Sequence, residues 1–487
     1  MSLTKKVAYN TSIQIIGKVI TTIISLALVG ILTRLLSVDG YGKIVTIFAF
    51  TGFFSVFADF GFFWISVRES AREPQNESKI VANIFTLRVI FALIVYSFGI
   101  ITSLFIGKYS SLITGIIIGS VAMFFASLNA TMVSVCQTHL RMDKASLTDI
   151  IGRAVTLLVV YLMVRSGINI VTVMFAYLAG SLTNFVMTYF FARKYVPIRF
   201  SFDWDYWKVI LRESFPMAIV VVFSFIYFKI DVLILSLVKT STDVGIYAPA
   251  YKVFEILLIF PAMFLGNIFP YFSKLANDEN RDKLKVIFQK AFDFMALVAI
   301  PMIIGCVIFA RSIINIIGGN QFLTESTINL FGRPATAVLV FQILSFAIGF
   351  SFINNVFGNL LISTRYQARL IIPIISLSLF NIGTNLFFIP RFSYVGAAFT
   401  TGLTEVLLFC INIYLLKKYV NILPNLEKIW RIALPALAMI LIGSALRQSF
   451  IFGAIVSTVT FFLLAFWTKC YSKELIFSLI RKSESSN

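Results

Sequence analysis

Ser37-Val38-Asp39-Gly40-Tyr41-Gly42-Lys43 stands between two apolar runs, 12–32 and 43–66, each longer than the roughly 18 residues that suffice for one membrane crossing. A short polar turn between two full-length runs reads as the first outer connection of a multi-span membrane protein. Thr242-Asp243-Val244-Gly245-Ile246-Tyr247, after the seventh run, reads as its counterpart. In the same way Ser166-Gly167-Ile168 after the fifth run corresponds to Tyr394-Val395-Gly396 after the eleventh. An offset of six spans preserves orientation. The halves are then parallel repeats about an axis along the membrane normal, an arrangement that puts a substrate site between them.

Outward from that turn, further runs lie at 80–106, 110–136, 147–165, 168–192, 209–238, 244–270, 288–310, 334–362, 366–389, 395–416, 429–446 and 449–467. The reading is an all-α integral membrane protein of about 14 transmembrane helices: two six-helix bundles in parallel pseudo-repeat plus two C-terminal helices. The lobes fall at 1–194 and 209–420, and 421–487 holds the two extra helices and a tail. Between the lobes, 195–208 carries Pro197, Trp204 and Trp207 among charges, which suits a linker at the headgroup level. With 59% hydrophobic and 13% charged residues the chain is outside soluble composition, which excludes a soluble enzyme core.

The net charge of +19 would suit nucleic-acid binding, but the cations sit between apolar runs, as loop charges do, so no nucleic-acid partner is expected. With the N-terminus inside, inner segments hold 27 Lys and Arg and outer ones 9, which predicts cytoplasmic termini and a multi-pass protein of the cell membrane. Lys5 and Lys6 precede a full-length run without a cleavage site, so the first helix is not a secretory signal. Cys136, Cys306, Cys410 and Cys470 have no metal-ligand spacing and read as small apolar residues.

Five cations remain inside the spans: Lys18, Arg88, Arg153, Lys229 and Lys252. At roughly 2.5 to 3.5 kcal/mol each at a helix centre, they should face a bundle interior or a watery cavity. Lys18 and Arg153 lie close enough to the cytoplasmic ends to snorkel, and Lys229 and Lys252 have Asp231 and Glu255 within reach for pairing. Arg offers a planar fork and Lys a mobile point charge, so a cavity holding both suits a phosphate or pyrophosphate headgroup. Asp231, Glu255 and Glu405 are the acids nearest mid-membrane, fit to bind a coupling proton or sodium ion or to pair with the lysines. Asp59, Asp149 and Asp293 lie nearer the cytoplasm.

Gln342, Asn354, Asn355 and Asn359 in span ten and Asn381 and Asn385 in span eleven suit helix-helix hydrogen bonding, with sugar contact as the alternative. Pro216, Pro249, Pro261, Pro270, Pro301 and Pro373 gather in spans seven to eleven, where they can kink helices. Paired carboxylates, a Gly-rich phosphate cradle and a metal cluster are all missing from the sequence, and His139 reads as a surface residue. Neither an enzyme nor a cofactor is expected.

Several segments resemble the polysaccharide transporters of the multidrug/oligosaccharidyl-lipid/polysaccharide exporter superfamily, above all O-antigen-type lipid-linked oligosaccharide flippases. They are Asn10 and Gly17 followed by Arg34 to Gly42; Asp59-Phe60-Gly61; Asp231 to Leu235 leading into Val244-Gly245-Ile246-Tyr247-Ala248-Pro249-Ala250-Tyr251-Lys252; and Asn381-Ile382-Gly383-Thr384-Asn385 through Ile389-Pro390 to Val395-Gly396-Ala397-Ala398. The resemblance implies a two-lobed transporter with a central cationic cavity, moving an isoprenoid-pyrophosphate-linked glycan from the inner to the outer leaflet by alternating access while the lipid tail stays in the bilayer. A multidrug extruder of the same superfamily, exchanging organic cations for sodium or protons, is the rival, and the excess of cations argues against it. A membrane glycan polymerase or ligase is a second rival. Against it, the longest outer connection, Arg311 to Arg333, carries only one acid, Glu325.

Overall fold

The computed structural model describes residues 3–276 and 280–468. Cys470 and the expected tail lie outside the described residues, as do 277–279. In a bilayer every backbone amide must be satisfied within its own segment, and the long apolar runs accordingly form helices. Among the described residues, twelve helices are long and apolar enough to cross a membrane. One of them, Ala368–Val420, reverses at Ser393 and so supplies two crossings, and Trp430–Ala445 is a shorter apolar helix, which completes the fourteen.

The chain divides into two compact units after Ala248. The first holds α1 (Leu3–Leu35), α2 (Val38–Asp59), α3 (Phe62–Arg72), α4 (Glu77–Phe105), α5 (Ile113–Thr138), α6 (Met142–Met163), α7 (Ile170–Ala192), α8 (Trp204–Val238) and the first turns of α9 (Ser241–Leu257). The expected lobe boundary at 195–208 is therefore not where the compact units part, and the reason is local packing. Ser201 N donates to Thr86 Oγ1 at 2.9 Å, Trp207 Nε1 donates to Asn83 Oδ1 at 2.9 Å, and Lys79 pairs with Asp203 at 2.7 Å. These bonds pin the linker to α4, with Val196 and Trp207 buried and Phe200, Phe202 and Trp204 exposed. The Lys79 ammonium, with the amide of Tyr206, holds the Asp203 carboxyl below the usual carboxylate range.

Ser37 caps α2 by accepting from Gly40 N at 3.0 Å, as an N-cap hydroxyl should. The motif that opened the sequence reading then meets its counterpart directly. A Cβ at Gly42 would stand 1.8 Å from the carbonyl oxygen of Ser241, and one at Gly245 would stand 2.1 Å from that of Val38. Only glycine permits this reciprocal backbone approach. At the other end of α2, Phe60 (φ 45°) and Gly61 (φ 76°) adopt left-handed backbone and break the second apolar run into α2 and the amphipathic α3.

The second unit holds the rest of α9, then α10 (Ile259–Leu275), α11 (Arg281–Ile308), α12 (Ala310–Gly318), α13 (Gln321–Thr324), a two-residue hairpin of β1 (Asn329–Leu330) and β2 (Arg333–Pro334), α14 (Ala337–Ser363), α15 (Ala368–Leu415), α16 (Glu427–Ala445) and α17 (Phe450–Trp467). At the reversal within α15, Ser393 takes φ 46°, and a Cβ at Gly396 would lie 2.5 Å from the carbonyl oxygen of Phe388. The two arms then run side by side: Asn381 Nδ2 donates to Thr404 Oγ1 at 2.9 Å.

Candidate functional site

The charges at membrane depth are best followed unit by unit. In the first unit Arg88 is fully buried on α4. Its Nη1 donates to the carbonyl of Ser127 at 2.9 Å, and its Nη2 lies 2.8 Å from Asp59 Oδ1. Neither Nε nor Nη2 makes a well-directed hydrogen bond, so the contact with Asp59 is ionic rather than a bidentate fork. The Phe62 ring, 5.9 Å away, covers the guanidinium. Asp59 reaches Arg88 because Phe60 and Gly61 end α2 immediately after it. Arg88 is thus a neutralised, enclosed charge, and its geometry suits helix packing far better than contact with a mobile anion.

Arg153 is spoken for as well. Its Nε lies 3.2 Å from Asp149 Oδ1 one turn away, and its Nη1 donates to Ser25 Oγ at 2.7 Å, joining α6 to α1. Lys18, also on α1, is exposed, and no carboxylate among the described residues stands within ion-pair distance of it. Lys229 is half-buried on α8. Two residues on, Asp231 is buried, accepting a hydrogen bond from the Tyr247 hydroxyl and one from Val232 N at 2.8 Å.

In the second unit Lys252 pairs with Glu255 at 3.2 Å, both partly exposed. Glu405 is buried, and Asn354 Nδ2 donates to its Oε2 and to its backbone carbonyl, each at 2.9 Å. Asn412 extends this chain to Asn354 at 3.3 Å, while Asn385 donates to Asn381 Oδ1 at 2.8 Å and Gln342 to the Val307 carbonyl at 3.1 Å. Asn354, Asn412 and Gln342 join helices to one another, whereas the Asn385–Asn381 bond stays within one arm of α15. Asn355 and Asn359 cap carbonyls of their own helix.

Several partners were out of reach of the sequence reading. Asp59 was assigned nearer the cytoplasm and not to Arg88; the local signal was the Phe60-Gly61 break. Tyr247, partner of Asp231, stands in the quoted motif at the start of the 244–270 run, 16 residues from Asp231 in sequence. His139, read as a surface residue, is partly buried, with Nε2 3.0 Å from Glu77 Oε2 and its ring stacked on Tyr195. The family-like residues turn out to be joints of the scaffold: Asn10 Oδ1 accepts from Met142 N at 2.9 Å, and Gly17 faces Ser146 where a Cβ would lie 2.8 Å away.

The described residues make an all-α, multi-pass membrane protein with the fold of the multidrug/oligosaccharidyl-lipid/polysaccharide exporter transporters. The chain is similar to a solved structure of the lipid II flippase MurJ in an inward closed conformation (TM-score 0.75, 15% identity, 96% of this chain and 99% of that one). It is also similar to an inward-facing multidrug resistance MATE family transporter (TM-score 0.64, 14% identity, 80% and 93%). A family model described as polysaccharide biosynthesis protein matches residues 7–276, more than half of the chain, and the chain belongs to that family. Among curated relatives it is 23% identical over 296 residues to a probable low-salt glycan biosynthesis flippase, Agl15, of Haloferax volcanii (60% of this chain, 58% of that one). It is 24% identical over 261 residues to a putative O-antigen transporter of Shigella dysenteriae (52% and 64%). The chain thus spans about three fifths of the length of the curated relatives it matches.

Proposed function

We propose that this protein translocates an isoprenoid-pyrophosphate-linked oligosaccharide from the inner to the outer leaflet of the cytoplasmic membrane by alternating access, for synthesis of a surface polysaccharide. The observation that carries the reading is the family match through residues 7–276, in a chain whose relatives are named for glycan flipping and O-antigen transport. The threefold excess of Lys and Arg in one set of connections supports cytoplasmic termini.

Within this reading the anion-binding role falls on Lys18, Lys229 and Lys252. Arg88 and Arg153 hold helices together through Asp59 and through Asp149 and Ser25. An ammonium at membrane depth offsets part of the cost of taking a pyrophosphate out of water. Asp231, Glu255 and Glu405 remain the positions for a coupling proton or sodium ion.

The test is the sidedness of lipid-linked glycans in native cells with and without the protein, read with an impermeant glycan-modifying probe. Accumulation on the cytoplasmic leaflet in its absence is expected. An unchanged distribution, in cells with no redundant transporter, would overturn the proposal. It would favour the multidrug extruder, a reading to which the likeness to the MATE fold lends support.

A further inference from the structure

In the second unit, the end of α10 and the turn joining α14 to α15 enclose an open cavity of about 770 Å³. Ser273, Ile362, Ser363, Thr364, Arg365 and Gln367 line it. No carboxylate is among the lining residues; Asp278 and Glu279, which follow α10 in sequence, lie outside the described residues. The Ser363 and Thr364 hydroxyls already donate to the Leu360 carbonyl, at 2.9 and 2.8 Å. That leaves the Arg365 guanidinium, the Gln367 amide and the Ser273 hydroxyl as donors with no hydrogen bond among the described residues. One full positive charge and three donor groups around an open space suit a phosphate.

Arg365 is also an unusual residue for its position. Tyr366 N donates to the Leu361 carbonyl at 2.9 Å and Arg365 N to the Ile362 carbonyl at 3.1 Å, the paired bonds that close a helix with its next residue in the left-handed region. Arg365 occupies that position with φ 67°. The turn alone calls for glycine, so the guanidinium is extra to its geometry. The carbonyl end of a helix carries only about half a negative charge, and the turn already occupies carbonyls at the end of α14.

The flank of the cavity is apolar. Ile362 is partly exposed, and Ile371 and Ile372 are exposed at the start of α15, with Ile371 one turn after Gln367 on the same face. A polar, cationic pocket beside exposed isoleucines is the pattern for an amphiphile, with its head in the pocket and its chain along the helix.

We propose that this cavity holds the phosphate group of an anionic membrane lipid, at a site distinct from the intramembrane cations and independent of the translocation reading. The test uses the full chain in nanodiscs of phosphatidylcholine with or without phosphatidylglycerol, counting retained lipid by native mass spectrometry for the parent, R365G and Q367A. The parent should keep phosphatidylglycerol in preference to phosphatidylcholine. R365G should melt no lower than the parent, because glycine suits the turn, yet bind phosphatidylglycerol at least about tenfold more weakly, as expected for losing a charge-assisted contact. Q367A should lose less. Equal retention of the two lipids by the parent, or undiminished phosphatidylglycerol on R365G, overturns the site. Displacement of the lipid by millimolar inorganic phosphate assigns the pocket to a free anion and overturns the lipid reading.

Discussion

Arg88 in the first unit and Glu405 in the second are both buried charges on spanning helices, yet they are held in different ways. Arg88 faces an opposite charge, Asp59, on another helix, whereas Glu405 receives the neutral amide of Asn354. An ion pair depends on both members staying ionised, because removing one strands the other in a low-dielectric interior. A hydrogen bond from an amide N–H to a carboxylate survives replacement of the carboxylate by another acceptor of the same shape. The first arrangement is brittle to single substitutions and the second tolerant.

The largest expected effect follows from that contrast. Asp59→Asn and Arg88→Met should each destabilise the protein by about 3 kcal/mol or more, and the double variant Asp59→Leu/Arg88→Met should cost less than the two singles summed. Melting in detergent measures this; strictly additive losses would break the ionic account. Next comes the reciprocal glycine contact. Gly42→Leu or Gly245→Val drives a side chain into a backbone carbonyl that has no rotamer to yield, at about 1–3 kcal/mol, and the pair should be less than additive because they share one contact.

The other side of the comparison is sharpened by Glu405→Gln, which should stay within about 1 kcal/mol of the parent, while Glu405→Ala, which removes the side-chain acceptor of Asn354 Nδ2 and leaves it only the backbone carbonyl of residue 405, costs about 1–3 kcal/mol. A loss for Glu405→Gln as large as that for Asp59→Asn would erase the distinction. Lys252→Gln separates stability from transport: the Lys252–Glu255 pair is partly exposed, so melting should move by less than about 1 kcal/mol, while glycan sidedness shifts toward the cytoplasmic leaflet.

The smallest effect concerns pH. The folded-state pKa of Asp203 is depressed by Lys79, so its contribution is present above the unfolded carboxylate pKa and is lost as pH falls through the folded one. Amide protection across 199–208, taken relative to the intrinsic exchange rate at each pH, should therefore fall in acid in the parent, whereas Asp203→Asn should be poorly protected at both ends of the range.

Hydropathy carried the fold, because a run long enough to cross a bilayer has one structure open to it. It even located the turn at 390–394, where Ser393 leaves the helical conformation and the chain reverses. What hydropathy missed depends on rotation about the helix axis. Arg88 and Asp59 meet only because α2 stops at Phe60-Gly61 and turns its last carboxylate toward α4, which no count of apolar residues registers. The stretch 311–333 was read as a plain loop. It contains most of the amphipathic α12 and a hairpin turned by Phe331 and Gly332, both too short for a spanning window. For the five intramembrane cations, burial cost was silent on whether a partner would be protein or substrate. Arg88 and Arg153 have protein partners in Asp59 and Asp149, and that is a matter of geometry.

The compact division after Ala248 falls inside helix α9, not in a connection. A cut at 239–240, the connection before α9, would leave the first unit without the opening turns of that helix. During synthesis the chain leaves the ribosome from its N-terminus, so the first unit cannot finish packing until the opening turns of α9 have followed α8 into the bilayer. A chain halted at the 195–208 linker would present a first unit still lacking the strap that α8 and Gly245 provide, and quality-control proteases would meet it as an unfinished protein.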